Sequence, residues 1–294
     1  MTPHRIVVTG GSGKAGRWVV RHLREHGHDV VNVDRVPSDE VHTYRADLTD
    51  LGQVYGVLEG CDAVVHLAAI PWPGEHAPEV VFRNNVLSTF NILQAASVLG
   101  ITKVVCAGSE SSLGFPFMAQ RFGPEYLPID EDHPLLAQDA YGMGKIAEES
   151  LGRGFARRVP SMSVTSLRFS LILIPDDYPR IVKQAQAGPA NHDFNLWAYV
   201  DVRDVAEACR LAVARDEAGF DAFYIAAPDT LMLEPTADLI RSRFPGEPRI
   251  VEEFGGTMSP LSCRRAEEVL GWRAAWTWNK ALAADSAGDD THDA

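Results

Sequence analysis

Short apolar runs and helical spacings alternate along the first 165 residues. The runs at 6–8, 30–34, 44–48, 62–67, 103–107 and 164–169 predict six strands. Segments with helical spacing fall between them: 17–26, 80–99 (where Phe90, Leu93 and Ala96 recur at intervals of three) and 141–158. Near-continuous apolar strands separated by helices predict a parallel sheet covered on both faces, hence a doubly wound α/β fold. Beyond about residue 166 the loops lengthen, and prolines such as Pro175, Pro189, Pro235 and Pro260 interrupt them. Helices are expected there at 202–214, 236–244 and 263–270, in a smaller lobe partly interwoven with the sheet. The last ten residues, 285–294, are acidic and small with no apolar face, and are expected to be disordered. No internal repeat is visible.

Composition narrows the function classes. A chain of 294 residues, 46% hydrophobic and 23% charged, has the make-up of a soluble globular protein. No apolar run approaches the ~20 residues of a membrane span. The first residues run directly into a strand, which leaves no room for a signal peptide, so a cytoplasmic location is expected. A net charge of −13, from 27 basic and 40 acidic residues, excludes a general nucleic-acid surface. Cys61, Cys106, Cys209 and Cys263 are widely spaced and read as reduced core residues. His22, His26 and His28 stand close together but read as surface residues at the first helix, and no metal site is expected.

The segment Thr9-Gly10-Gly11-Ser12-Gly13-Lys14-Ala15-Gly16 follows the first strand and opens the first helix. Gly10, Gly13 and Gly16 give the tight turn, the close backbone approach and the close helix packing that a dinucleotide pyrophosphate requires. The amides of Lys14 and Ala15 would face the phosphates at the positive end of the helix. Asp34 ends the second strand, 18 residues after Gly16. A carboxylate there accepts from ribose hydroxyls and repels a 2′-phosphate, so NAD is expected over NADP; Arg35 and Lys14 are the counter-indication. Asp47 and Leu48 are placed to reach the adenine. Leu67, Ala68 and Ala69 leave room for the cofactor backbone, and His66 reads as a satisfied core histidine. Residues 1–165 are therefore expected to form a Rossmann-type NAD-binding domain, with its sheet completed by later segments, and 166–284 the substrate lobe.

The chemistry is expected at Tyr141 and Lys145, one helical turn apart on one face. A cation beside a phenol favours the phenolate, so Tyr141 can exchange a proton with a substrate hydroxyl. Lys145 is also placed to hydrogen-bond the nicotinamide ribose. Ser109, at the end of the fifth strand, is placed to hold the substrate oxygen, because ligands bind beyond the carboxyl ends of parallel strands.

As a set these residues resemble the extended short-chain dehydrogenase/reductase family, which includes NAD-dependent sugar epimerases and dehydratases. The resemblance extends to about Trp278. It also takes in Asn85-Val86 through Asn91-Ile92-Leu93, Tyr199-Val200-Asp201-Val202-Arg203-Asp204, and Leu270-Gly271-Trp272. Counting back five residues from Gly114, the family's catalytic serine or threonine position falls on Ser109. Two departures inform the reaction. The dehydratases carry two acids after that position, whereas this chain reads Ser109-Glu110-Ser111. The nucleotide-sugar epimerases carry an Asn-Val-Tyr-Gly-Pro stretch and a diphosphate-binding arginine, and this chain reads Ser170-Leu171-Ile172-Leu173 and Leu196-Trp197 instead. The uronate dehydrogenases of the family look closer, which places Asn85 and Arg180 among the substrate contacts; a guanidinium at Arg180 would grip a carboxylate through paired hydrogen bonds. An extra loop near 115–134 sets the chain apart from them.

The expected function is an NAD-dependent oxidoreductase. It would move hydride between NAD and a hydroxyl, lactol or carbonyl carbon of a small non-nucleotide sugar, sugar acid or polyol. The alternatives are an epimerase that retains its NAD and a nucleotide-binding sensor without turnover. The resemblance also implies a homodimer through the helices that carry Asn85 and Tyr141.

Overall fold

The computed structural model describes residues 4–38, 41–74 and 76–289. The chain opens with β1 (Arg5–Thr9), α1 (Gly16–Glu25), β2 (Asp29–Val33), β3 (Thr43–Tyr44), α2 (Leu51–Leu58), β4 (Ala63–His66), α3 (Pro78–Leu99) and β5 (Lys103–Ser109). It continues through β6 (Tyr126–Leu127), α4 (Ala140–Arg158), β7 (Ser163–Phe169), β8 (Leu171–Leu173), α5 (Tyr178–Gln186), β9 (Tyr199–Asp201), α6 (Val202–Ala214) and β10 (Gly219–Ile225). The last elements are α7 (Thr236–Arg243), β11 (Arg249–Ile250), α8 (Arg264–Leu270) and α9 (Trp278–Asp289).

Among the described residues, seven strands form one parallel sheet in the order β10-β7-β5-β4-β1-β2-β3. The chain runs outward from β1 on one side and returns at β4 on the other, and that reversal opens a crevice at the strand ends. One face of the sheet is covered by α1, α6 and α8 through Val19, Leu23, Val205, Cys209 and Trp272. The other is covered by α2, α3 and α4 through Val54, Leu58, Ile92, Ala96 and Phe155. This is the doubly wound α/β fold that the alternating pattern predicts.

A third core builds the smaller lobe around Phe115, Tyr178, Trp197, Tyr199, Leu239 and Phe244. The 115–134 loop belongs to it: Phe115 is buried there, and β6 pairs with β11. The lobe does not start cleanly at 166, because α6 and β10 return to the large sheet.

Several boundaries differ from expectation. The third strand is two residues long rather than 44–48. Asp47 turns back on Thr49, accepting from its amide and hydroxyl, and Asp50 then caps α2; these local side-chain bonds displace the strand ladder. Strand β10 lay unpredicted in the loop-rich half. So did α5, which opens on Tyr178-Pro179; α2, which carries Gly52 and Gly56, fills the gap before the fourth strand. The segment expected to be disordered from 285 begins inside α9, which runs to Asp289; residues 290–294 lie outside those described.

Candidate active site

A cleft of about 630 Å³ opens at the carboxyl ends of the central strands, within the range of small-molecule sites. Its walls bring together Gly10, Gly13, Lys14, Ala15, Gly16, Asp34, Leu48, Leu67, Ala68, Ala69, Ser109, Tyr141 and Lys145. Three expected residues stay out of it. Asp47 is engaged with Thr49. Asn85 is buried, and its amide bridges the backbone N–H and C=O of Ile70, both at 2.9 Å; it fixes the loop after β4 rather than meeting a substrate. Arg180 is 61% exposed on α5 and faces Asp177 at 3.5 Å and Gln184 at 3.3 Å. Its side chain is spent on neighbours one turn along its own helix, so it does not contribute a carboxylate grip to the cleft.

The glycine turn has the shape of a phosphate cradle. Gly10 has φ +72°, and a Cβ on it would stand 2.7 Å from the Ala68 amide nitrogen. A Cβ on Gly16 would stand 2.0 Å from the Gly10 carbonyl oxygen. At Gly13 the nearest such contact is the Gly10 oxygen, at 3.2 Å, so its bare backbone leaves space on the cleft side. Among the described residues the amides of Lys14 and Ala15 make no hydrogen bond. These are the donors a pyrophosphate would take. Gly16→Ala is expected to raise the dissociation constant for NADH at least tenfold, because overpacking of about 1–3 kcal/mol falls on the cradle itself; a fluorescence titration checks this.

Asp34 hangs over the same turn. Its Oδ2 accepts from the Ser12 amide at 3.0 Å and its Oδ1 from the Val36 amide at 3.1 Å, which leaves lone pairs directed at the crevice. The nearby cations are committed: Lys14 donates to the Ile172 carbonyl at 2.9 Å and pairs with Asp177 at 2.5 Å across the cleft, and Arg35 donates to Asn84 at 3.3 Å. The geometry therefore fits NAD better than NADP. Asp34→Ser is expected to raise KM for NAD by about tenfold or more, the loss of one hydrogen bond to a charged group, and to lower KM for NADP. Paired steady-state assays with the two cofactors check this.

Asp139 starts α4. Its Oδ1 accepts from the Tyr141 amide at 2.8 Å and the Gly142 amide at 3.0 Å, which sets Tyr141 in the first turn and Lys145 one turn on. Ser109 ends β5, lines the cleft together with Tyr141, and accepts from the Ser111 amide at 3.1 Å. The Lys145 ammonium lies 5.6 Å from the centre of the Tyr141 ring. Burial pushes the phenol above its ordinary value, and the pull of Lys145 and Ser109 does not cancel it. The cation and hydroxyl pull toward the phenolate, but in the folded chain desolvation outweighs them. His66 is buried and bonded to the Thr9 hydroxyl at 2.7 Å. Burial, with Lys145 nearby, takes it down to about 3, so it is neutral and fills the core position expected of it.

Beyond Ser109 the cleft is walled by Trp72, Pro116, Phe117 and Phe194, with Glu110 at its floor. Sequence reasoning missed these residues. The available signal was the extra loop, which brings Phe117 in with φ +62°, a left-handed backbone unusual for phenylalanine. Glu110 is buried, and burial lifts its carboxyl well above the usual range; Asn195, 3.5 Å away, offsets only part of that.

One histidine cluster forms outside the cleft: ligand atoms of His22, His26 and Glu207 lie within 4.8 Å of one another. Arg210 already holds both oxygens of Glu207, at 2.6 and 2.7 Å. His28 lies apart, against His4. No helix of the described residues is long and apolar enough to cross a membrane.

A glycine turn at the head of α1, an acid after β2 and Ser109, Tyr141 and Lys145 line one cleft at the strand ends of a doubly wound sheet, the architecture of a dinucleotide-binding fold. Comparison with known proteins agrees. The model of the NAD-dependent epimerase/dehydratase family matches residues 6–226, and the chain belongs to that family. The chain is 25% identical to the UDP-glucose 4-epimerase of Corynebacterium glutamicum over 98% of both chains. It is 31% identical to the L-arabinose 1-dehydrogenase (NAD(P)(+)) of Haloferax volcanii, over 59% of this chain and 69% of that one. A short-chain dehydrogenase/reductase superfamily protein from Agrobacterium tumefaciens, solved with bound NAD, superposes with a TM-score of 0.75 at 26% identity, covering 98% of each chain. The protein is an NAD-dependent enzyme, and its matched relatives include both sugar epimerases and sugar dehydrogenases.

Proposed function

We propose that the protein is an NAD-dependent oxidoreductase acting on a hydroxyl or lactol carbon, or in reverse a carbonyl carbon, of a small non-nucleotide sugar or polyol. The observation that carries this reading is the charge lining the cleft. The cations in its lining are Lys14, Arg35 and Lys145, and each is committed: Lys14 to Asp177 and Ile172, Arg35 to Asn84, and Lys145 beneath Tyr141. Among the described residues of the lining, no cation is left uncommitted for a diphosphate. With Arg180 outside, nothing grips a carboxylate either, so neutral sugars are favoured over sugar acids. Trp72, Phe117 and Phe194 offer flat apolar faces to the C–H face of a pyranose or furanose ring.

NAD, when bound, takes up the hydride and returns it in the reverse direction. The protein's own part is proton transfer and positioning. Ser109 holds the substrate oxygen beside the phenol. Tyr141 accepts the hydroxyl proton in oxidation and returns it in reduction. Lys145 supplies the positive charge that stabilises the phenolate. Gly10, Gly13, Gly16 and Asp34 orient the cofactor.

The test is NADH formation at 340 nm with NAD and a panel of neutral aldoses, polyols, uronic acids and UDP-sugars. Signal with a neutral aldose or polyol, at least tenfold above any uronate, is expected. Turnover confined to UDP-sugars, without net NADH, would instead establish the epimerase reading, which the full-length match to a UDP-glucose 4-epimerase favours.

The homodimer also remains a proposal. Phe82, Leu87 and Phe90 of α3 and Met143 of α4 are each more than a third exposed and form the apolar face it would use. Four free cysteines, three of them buried, fit the cytoplasmic location we propose.

A further inference from the structure

The ammonium of Lys145 is held from behind. It donates to the Ala107 carbonyl of β5 at 2.8 Å and to Glu148 Oε2 at 2.9 Å. Both side chains are buried, 5% and 6% exposed. Glu148 lies three residues further along α4, on the same helix face. Its other oxygen, Oε1, is buried with no partner among the described residues. A carboxylate kept only to anchor a helix would have both oxygens satisfied, since an unmet buried acceptor costs stability. Anchoring of α4 to the sheet already falls to the next residue, Glu149, which Arg168 holds through two bonds of 2.8 Å. Around Glu148 is a small cavity lined by Cys106, Ser166, Phe220 and the Glu149 carboxyl that Arg168 holds, with Lys145 as the cation among its described lining residues. Lys145 is therefore its counter-charge.

We propose that Glu148 is a positioning residue: it fixes the Lys145 ammonium against β5 and offsets its charge at Tyr141, so that the Tyr141–Lys145 pair parts with its first proton only at high pH. This rests on the reading of Tyr141 as the proton-transfer group. The groups facing the pair are few. Tyr141 meets Lys145, Glu148 and Asp139 from its own helix and Ser109 from β5. Lys145 meets Glu148 and Tyr141 on α4, Cys106 on β5, and His66 on β4. His66 is neutral, and burial keeps the Cys106 thiol protonated, pushed up to about 12.

A charge count gives the direction. With Glu148 ionised, Lys145 protonated and Tyr141 neutral, the buried trio carries no net charge, and losing a proton leaves −1. With glutamine at 148 the trio starts at +1, and losing a proton leaves it neutral. Burial penalises net charge, so the first proton leaves more easily from the variant. The shifts in the native chain run the same way: the phenol is raised by burial with Glu148 adding to it, and burial alone would lower the ammonium, but Glu148, Tyr141 and Cys106 together raise it. Because the two groups titrate together, the quantity to follow is the first step of the pair.

The experiment uses the whole protein labelled with ¹³C at tyrosine Cζ. The resonance missing from Tyr141→Phe identifies Tyr141, and pH is titrated without substrate. Glu148→Gln is expected to lower the first inflection by about one pH unit or more, the effect of a single charge at this range. Glu148→Ala is expected to act in the same direction, and whichever of the two keeps the wild-type Tm decides. Glu148→Asp retains the charge and is expected to stay close to wild type. With any sugar that is turned over, the acid limb of the oxidation rate moves down with the inflection, while KM for NAD stays within a few fold. An unmoved inflection in a folded glutamine or alanine variant overturns the proposal. So does an aspartate variant that shifts as far as the glutamine variant, which would assign Glu148 to helix packing. The resonance needs no substrate, so a failed sugar panel leaves this result standing; turnover retained in Tyr141→Phe would refute the proton-transfer reading instead.

Discussion

Replacing Tyr141 with phenylalanine is expected to lower kcat by about 10²- to 10⁴-fold, the usual contribution of a positioned acid or base, while NAD affinity stays within a few fold. Tyr141 is 9% exposed at the wall of the cleft, which Ser109 also lines, and stands one helical turn from Lys145. The substitution removes one oxygen and leaves the ring in its packing, so the cofactor cradle at Gly10–Gly16 and Asp34 is untouched. A loss in kcat with little change in NAD binding separates a proton-transfer role from a binding role. Steady-state kinetics and an NADH titration on the same preparation check both halves. A variant that turns over at the wild-type rate would remove Tyr141 from the chemistry.

The second large effect concerns stability. Arg168 of β7 is 1% exposed and meets both oxygens of Glu149 at 2.8 Å, with the Tyr224 hydroxyl and the Glu131 carbonyl each at 3.3 Å. Arg168→Met would leave Glu149 buried with only Arg153, at 3.3 Å, as an ionic partner. Breaking a buried pair in this way costs about 3–5 kcal/mol, which lowers Tm by roughly 10 °C in a domain of this size. The double variant Glu149→Leu/Arg168→Met is expected to recover most of the loss, because neither charge is then stranded. Burial alone would raise the Glu149 carboxyl, but the bonds and charge of Arg168 outweigh it and the net shift is downward. The pair's contribution is therefore fully present above the ordinary carboxylate value of 4.5 and is lost as pH falls through the lowered one. Wild type and Arg168→Met should draw together in stability as pH falls below the ordinary carboxylate value of 4.5 and through the lowered one. Calorimetric scans at pH 7 and pH 4 measure both effects.

The parts of the molecule legible in the sequence are those governed by short-range rules. Ile6, Val7 and Val8 read as a buried strand because apolar runs bounded by turns have few other uses, and Gly10, Gly13 and Gly16 read as a cradle because the first and last exclude a side chain and the middle one leaves space for a ligand. Asp34, Tyr141 and Lys145 followed from spacing along one strand end and one helix face. What sequence could not supply is contact between distant segments. Phe117 and Phe194 share a cleft with Trp72 only because the smaller lobe folds over the strand ends. Arg180 matched a family position, yet in the folded chain it turns to Asp177. Asn85 carries the polarity of a substrate contact but serves the backbone of Ile70. Strand β10 was hidden because its partner, β7, lies more than 50 residues earlier. The balance at Tyr141 was out of reach for the same reason, since the desolvation that raises its phenol is a property of the closed fold.

The central claim is net transfer of hydride from a non-nucleotide sugar or polyol to NAD. Its most direct measurement is stoichiometric: the protein is incubated with excess NAD and the neutral sugar that gives the strongest 340 nm signal, the protein is removed by ultrafiltration, and NADH and sugar are counted in the filtrate. One NADH in free solution for each sugar oxidised is the result predicted. Sugar inverted at one carbon with no NADH in the filtrate would contradict the claim and make the protein an epimerase.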